Sequence, residues 1–333
     1  MQIKTPKFWY RELNSPAPWI ERILWPVSAI YEAGHRLNLS RQSEINSPIP
    51  VLCVGNIVTG GSGKTPTLLA IQKLILQQAI AKNPFFLSRG YGGSETGPHC
   101  VDPAHDTTAR VGDEPLLLAR AGQALVSQNR AEGVKMGHSL GADIILMDDG
   151  FQNRSVAKDI SLLVIDGASG FGNHKLLPSG PLREPIADGL ARADAVILIG
   201  ADERNIKAEL PSNLPVFQAN IKSGFAGEKN NPYIAFCGLA CPEKFQKTLA
   251  KEKLNILKFY DYPDHHSFTT KELEKLLQES REQNAILITT EKDFVRIPTA
   301  FSAGIKILPI EIIFEDPSGL ATFLKIKLER QAA

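Results

Sequence analysis

The stretch from Pro48 to Gln78 constrains this chain more than any other. The apolar, β-branched run from Pro48 to Gly55 reads as a buried parallel strand. Thr59-Gly60-Gly61-Ser62-Gly63-Lys64-Thr65 follows as a glycine-rich turn, and Leu68, Leu69, Ile71, Leu74 and Ile75 then recur at helical spacing. Such a strand–loop–helix unit cradles phosphate. Its glycines let backbone N–H groups approach the oxygens, and the helix N-terminus adds a favourable partial charge. In that frame Lys64 reaches the β- and γ-phosphates and the Thr65 hydroxyl sits on Mg²⁺. The candidate nucleotide-binding loop is therefore Val58, Thr59, Gly60, Gly61, Ser62, Gly63, Lys64 and Thr65. The full pattern G-x-x-x-x-G-K-[ST] has glycine where this chain has Val58. The loop is thus a variant, with its first glycine displaced to Gly55 or Gly60.

Further strands are expected at 84–88, 142–147, 160–165 and 195–199, and helices at 114–121, 130–140 and 188–193. This alternation predicts an α/β fold: a P-loop NTPase-like, mainly parallel sheet flanked by helices. Gly167 to Pro185 is rich in Gly, Pro and Ser, and irregular stretches of that length are usually functional or mobile. Polar sequence around Lys222 to Asn231 marks a boundary. Beyond it a second αβ pattern has strands at 233–236, 257–260, 285–289 and 305–313, and helices at 243–251, 270–283 and from Ser318. The expected organisation is an N-terminal amphipathic helical segment (1–42), a core domain (43–222) and a smaller α/β domain (223–333).

The 333 residues carry a net charge of about +1, so no global basic field points to nucleic acid, and an anionic substrate must be met by local Arg and Lys. Nothing calls for an obligate protein partner. The four cysteines are sparse; Cys237 and Cys241 lack a second ligand pair at metal spacing and read as structural. The N-terminus has neither the apolar core nor the cleavage site of a signal peptide, and no run of about 18 apolar residues spans a membrane. Yet Trp9, Trp19 and Trp25, all the tryptophans of the chain, lie in the first forty residues, with Arg11, Arg22, His35, Arg36 and Arg41 near or among them. That pattern fits a helix lying on a membrane surface, or a helix packed on the protein's own core. Pro26 is expected to interrupt it.

Three further clusters carry candidate chemistry. Asp148-Asp149-Gly150 ends an apolar strand, where a carboxylate can hold Mg²⁺. Gly112-Asp113-Glu114-Pro115 reads either as a helix cap, with Asp113 at the N-cap, or as catalytic. Asp264-His265-His266 is either a surface turn or an acid–base site.

Taken together, these blocks resemble the tetraacyldisaccharide 4'-kinase family. The resemblance is carried in order by Gly55-Asn56, Gly60 to Pro66, Leu87-Ser88-Arg89-Gly90-Tyr91-Gly92, Gly112 to Pro115, Asp148-Asp149-Gly150-Phe151-Gln152, Leu177 to Pro185 and Pro263-Asp264-His265. The family loop itself lacks the first glycine, which accounts for Val58. Asn153 departs from the pattern, since relatives commonly carry His there. The resemblance implies transfer of the γ-phosphoryl of ATP to the 4'-hydroxyl of an acylated glucosamine disaccharide 1-phosphate, on the cytoplasmic face of a bacterial inner membrane. It implies that Asp113, paired with His265, takes the hydroxyl proton while Lys64 and Mg²⁺ stabilise charge. Thr65, Glu114, Asp148 and Asp149 are candidates for the metal, and Arg89, Arg130 and Arg183 for substrate phosphates. Domain closure to exclude water is a further expectation.

Two other readings compete. A nucleotide-driven switch or metallochaperone requires a guanine-reading Asn-Lys-x-Asp or a Cys/His cluster, and the chain offers only Thr290-Glu291-Lys292-Asp293. A non-enzymatic peripheral membrane protein would bind nucleotide only for stability.

Overall fold

The computed structural model describes residues 5–12, 15–40 and 44–332. Arg41 and the first four residues of the chain lie outside them. Eight strands build up in chain order: β1 (Val51–Gly55), β2 (Pro84–Ser88), β3 (His99–Cys100), β4 (Ala124–Val126), β5 (Ile144–Asp148), β6 (Ile160–Asp166), β7 (Ala195–Ile199) and β8 (Val216–Ser223). Then come β9 (Pro232–Cys237), β10 (Asn255–Asp261), β11 (Ile286–Thr290), β12 (Ile305–Leu308) and β13 (Ile310–Phe314). The larger sheet runs β13-β8-β7-β6-β1-β5-β2-β4-β3. Every pairing from β8 through β4 is parallel, whereas both edges run against their neighbours: β3 pairs β4 antiparallel, and the bonds from Gly224 N–H to Pro309 O (3.0 Å) and from Glu315 N–H to Gln218 O (3.0 Å) set β13 against β8. β1, β2, β5 and β7 are buried along their whole length, as strands covered on both faces must be.

The chain divides into two compact units, residues 6–221 with 312 onward, and 222–311 with Thr5. The smaller unit is an all-parallel sheet, β10-β9-β11-β12. Its alternate residues feed two apolar layers, Tyr233, Ala235 and Cys237 on one face and Ile234 and Phe236 on the other. Its helix Thr270–Glu282 starts on a capping box between Thr269 and Glu272.

Some expectations are corrected. The run 305–313 is not one strand: it breaks at Pro309, which has no N–H for a ladder, and β12 and β13 enter different sheets. The helix Pro317–Ala332 belongs to the larger unit rather than to a 223–333 domain. Leu320 and Leu324 are fully buried there, and Lys327 Nζ lies 2.6 Å from Asp194. The Gly167–Pro185 stretch, irregular as expected, is largely internal, with Phe171, Asn173, Ser179, Leu182 and Glu184 all buried. The helix Trp19–Ser40 runs through Pro26, whose ring is exposed.

That helix is amphipathic in reverse. The residues turned inward, Glu21, Leu24, Ser28, Tyr31 and His35, follow helical spacing but are mostly polar. Ser28 Oγ lies 3.0 Å from Leu176 O and 2.9 Å from Ser179 Oγ, and Tyr31 donates to Arg183 O (3.1 Å). Glu21 is held by Arg11 (2.9 Å) and Asn173 (3.3 Å). Meanwhile Trp19, Ile23, Trp25 and Ile30 are 72, 63, 62 and 73% exposed. The two helix tryptophans are therefore not core fillers. Trp9 alone is half-buried, donating to Pro178 O at 3.0 Å.

Candidate active site

The site in the larger unit forms where β1 and β5 end side by side, Val54 opposite Asp148. After β1 the chain passes through the glycine loop into the helix Lys64–Gln77, with Gly63 as N-cap. Gly60 and Gly63 take positive φ, 110° and 87°, conformations a side chain would resist. Gly60, not Gly55, therefore supplies the displaced loop glycine. Gly55 serves packing: a Cβ there would lie 2.7 Å from Phe151 Cβ, so the glycine lets the Asp148–Phe151 turn close over the end of β1.

Val58 is buried in the core and bridges Leu182 in antiparallel fashion. Thr59 N–H donates to Pro181 O (2.7 Å) and Arg183 N–H to Ile57 O (2.8 Å). The Leu177–Pro185 motif thus braces the approach to the loop, and the Thr59 amide is already engaged. A glycine at 58 would forfeit that apolar contact.

Lys64 Nζ donates to Asn56 Oδ1 (3.3 Å) and lies 3.6 Å from Asp149 Oδ2. Burial presses its ammonium below the ordinary value, with Asp149 opposing. Asn56, fully buried, also donates to Ser62 Oγ (2.6 Å) and so ties the loop to the strand end. Arg183 Nη1 reaches both Asp149 oxygens at 2.9 Å. Burial works against the Asp149 carboxylate, yet Lys64 and Arg183 hold it below its ordinary range. Thr65 Oγ1 donates to Asp148 Oδ2 at 3.2 Å. Asp148 is 3% exposed, and its carboxyl is pushed up to about 7 by burial, then by the charges of Asp149 and Glu114. Its Oδ1 is buried without a partner among the described residues. A buried, orphaned carboxylate oxygen beside a threonine hydroxyl is the chemistry a hard divalent cation satisfies, so Thr65 and Asp148 fit Mg²⁺.

The helix Asp113–Ala119 is capped by Gly112, not by Asp113 as the sequence suggested. Gly112 sits at φ 90°, where a Cβ would meet Tyr91 O at 2.6 Å. The Arg89–Gly93 motif lies against this backbone, and the fit leaves Asp113 buried as the first helical residue. Arg130 is 3% exposed; burial and the nearby Arg89 bring it down to about 10. It donates to Ser127 O (2.5 Å), while its Nε is buried with no partner among the described residues. Arg89 itself is exposed. His265 lies in the smaller unit at a turn with φ 56°. Its neighbour His266 is occupied structurally, bonded to Glu272 (3.0 Å) and stacked on Tyr262 at 4.7 Å.

Sequence reasoning assigned no role to Asn56, Gln152, Glu184 or Arg192. Gln152 Nε2 donates to Asn56 O and to Glu184 Oε1, both at 2.8 Å, and Arg192 pairs with Glu184 beneath Phe151. Only the placement of Asn56 at the end of an apolar strand hinted at this support. Asn153 accepts from Ser155 N (3.1 Å) and Oγ (2.8 Å), so its side chain is committed to a local turn. Thr290 and Asp293 form a helix cap, Asp293 N–H donating to Thr290 Oγ1 at 3.1 Å. Cys237 is a core residue whose thiol burial pushes up to about 12.

A phosphate-binding loop after a buried parallel strand, with a carboxylate closing the adjacent strand, defines a P-loop kinase fold. The family model for tetraacyldisaccharide-1-P 4'-kinase matches residues 20–329. A tetraacyldisaccharide 4'-kinase of Rhodospirillum centenum is 41% identical over 97% of this chain and 96% of its own. That of Paramagnetospirillum magneticum is 43% identical over 95% and 96%. A crystal structure of LpxK from Aquifex aeolicus in complex with ATP superposes with a TM-score of 0.74 at 26% identity, covering 93% of this chain and 99% of that one. The chain belongs to the tetraacyldisaccharide-1-P 4'-kinase family.

Proposed function

We propose that this protein transfers the γ-phosphoryl group of ATP to the 4'-hydroxyl of tetraacyldisaccharide 1-phosphate, giving the 1,4'-bisphosphate (lipid IVA) of lipid A biosynthesis. The observation that carries the reading is the buried constellation in which Lys64 lies between Asn56 and Asp149 while Thr65 meets Asp148. Backbone amides of Gly60 to Thr65 bind the phosphates, and the Lys64 ammonium neutralises charge on the transferring group, where preorganised electrostatics act most strongly. Thr65 and Asp148 would hold Mg²⁺, with the charges of Asp149 and Glu114 acting on the Asp148 carboxyl. The cation, when bound, withdraws charge from the phosphate oxygens. Arg183, Arg130 and Arg89 supply phosphate contacts, Arg130 with a donor still unspent.

Asp113, in partnership with His265, accepts the proton of the sugar 4'-hydroxyl; a positioned base is worth about 10²–10⁴ in rate. The substrate carries several acyl chains and stays in a bilayer, so the enzyme comes to it. The outward Trp19, Ile23, Trp25 and Ile30 enter the headgroup zone. No described helix is long and apolar enough to cross a membrane; attachment is peripheral, through this outward face, at the cytoplasmic side of the inner membrane.

The test is incubation of the pure protein with ATP, Mg²⁺ and the acylated disaccharide 1-phosphate in detergent. A product one phosphate heavier supports the reading. An Asp113→Ala protein should keep its fold and ATP binding but lose turnover. ATP consumption without a phosphorylated lipid would end the proposal.

A further inference from the structure

The motif Thr290-Glu291-Lys292-Asp293 and the nearby Arg296 have no part in the reaction as proposed, yet they contain a deeply buried ion pair. Arg296 Nη1 lies 2.9 Å from Asp293 Oδ1, with the side chains 3% and 0% exposed. A buried pair is a poor source of stability, because desolvation consumes much of its attraction. Its connections suggest another use. Asp293 Oδ1 accepts from Gly238 N–H (2.9 Å), and Asp293 Oδ2 accepts from Thr290 Oγ1 (2.6 Å). Arg296 Nη1 also donates to Gly238 O (3.2 Å), the carbonyl that receives His265 N–H (3.3 Å). Arg296 Nη2 lies 3.5 Å from His265 Nδ1, and Lys292 Nζ 3.2 Å from His265 Nε2.

The backbone of His265 needs such a hold. Its φ of 56° is left-handed, a conformation that costs a β-carbon-bearing residue energy. The turn also leaves no slack, since a Cβ on Gly238 would lie 3.0 Å from Pro263 O, 3.1 Å from His266 Cβ and 3.2 Å from Asp293 Oδ1. The turn is therefore clamped from below, through Gly238, and the imidazole is flanked on both edges by cationic donors.

We infer that Asp293 and Arg296 are positioning residues for His265, fixing its turn through Gly238, and that Lys292, the nearer of the two cations, sets the orientation of its ring by donating to Nε2. This inference rests on the reading of His265 as the partner of Asp113. A side chain whose rotamer is locked from behind meets its substrate without reorganising, and misplacement of about 1 Å can cost about 10²-fold in rate.

The experiment uses Arg296→Lys, which keeps a charge opposite Asp293 but loses the guanidinium fork, and Lys292→Met, at a side chain 29% exposed where folding is not at stake. Each is made alone and in a His265→Ala background. Arg296→Lys should lower kcat by about 10²-fold with the KM for ATP unchanged, and should add nothing to the loss in His265→Ala. In both single variants the imidazole nitrogen resonances of His265 should move while those of His266 stay. Wild-type kcat in a folded Arg296→Lys protein, losses that multiply with His265→Ala, or unmoved His265 resonances would each overturn the inference. If Arg296→Lys does not fold, Lys292→Met decides by the same readouts. Wild-type kcat in His265→Ala itself would refute the assigned role of His265, and the ring resonances would still judge the clamp.

Discussion

Replacing Trp25 by serine should release the protein from lipid without loosening its fold. Trp25 is 62% exposed on the outward face of the helix Trp19–Ser40. A tryptophan presents up to about 250 Å², so roughly 150 Å² of its surface is open to a bilayer. At about 25 cal/mol per Å² full burial would be worth roughly 4 kcal/mol. A helix lying in the headgroup zone buries about half of that, leaving about 2 kcal/mol, or roughly a 30-fold drop in vesicle partitioning. Because the ring supports no core, the unfolding free energy should change by less than about 0.5 kcal/mol. The contrast is Ser28→Ala on the inward face. It removes a buried hydroxyl that bonds Leu176 O and Ser179, and should cost about 1–3 kcal/mol of stability while leaving vesicle affinity alone. Sedimentation with anionic vesicles and urea unfolding give both numbers. Wild-type partitioning of Trp25→Ser, or a loss of about 2 kcal/mol or more in its stability, would show that the ring belongs to the protein's interior and refute the reasoning.

Other outcomes follow from the site. In the metal-free protein under chelator, burial raises the folded Asp148 carboxyl to about 7, against about 3.9 for an ordinary Asp. The folded state then holds the extra proton between those values, so the contribution of Asp148 to stability is fully present below about pH 4 and is lost as pH rises to 7, by on the order of 4 kcal/mol. Asp148→Asn should remove this falling component in pH-dependent denaturation while abolishing turnover; a stability difference between wild type and Asp148→Asn that stays constant over the same window would contradict the burial argument. Lys64→Met should lower kcat by at least about 10²–10³-fold in a phosphoryl-transfer assay, in a protein that still folds. Gly112→Ala places a Cβ 2.6 Å from Tyr91 O at φ 90°. It should cost at least about 1–3 kcal/mol and depress kcat more than ATP affinity, measured by calorimetric titration.

What short-range chemistry dictates could be read along the chain. The strand, glycine loop and helix around Lys64 were legible because each rests on local periodicity and glycine placement. The carboxylates at the end of β5 were legible because an apolar run ending in Asp-Asp-Gly has few other uses. Tertiary structure alone decided the rest. No local pattern shows that Val58 is braced by Leu182 or that Gly55 yields to Phe151, since each partner arrives from a distant segment, nor that the loop folds back so that Asn56 meets both Ser62 and Lys64. Pro309 sends the two halves of one apolar run into different sheets. The N-terminal helix shows the limit most clearly. Its composition allowed either face to turn inward, and the choice fell to the buried polar partners waiting in the 173–183 segment, which bond Glu21, Ser28 and Tyr31 and leave the tryptophans of the helix outside. Hydrophobicity read along a chain cannot anticipate that, because a buried hydrogen bond depends on both of its ends.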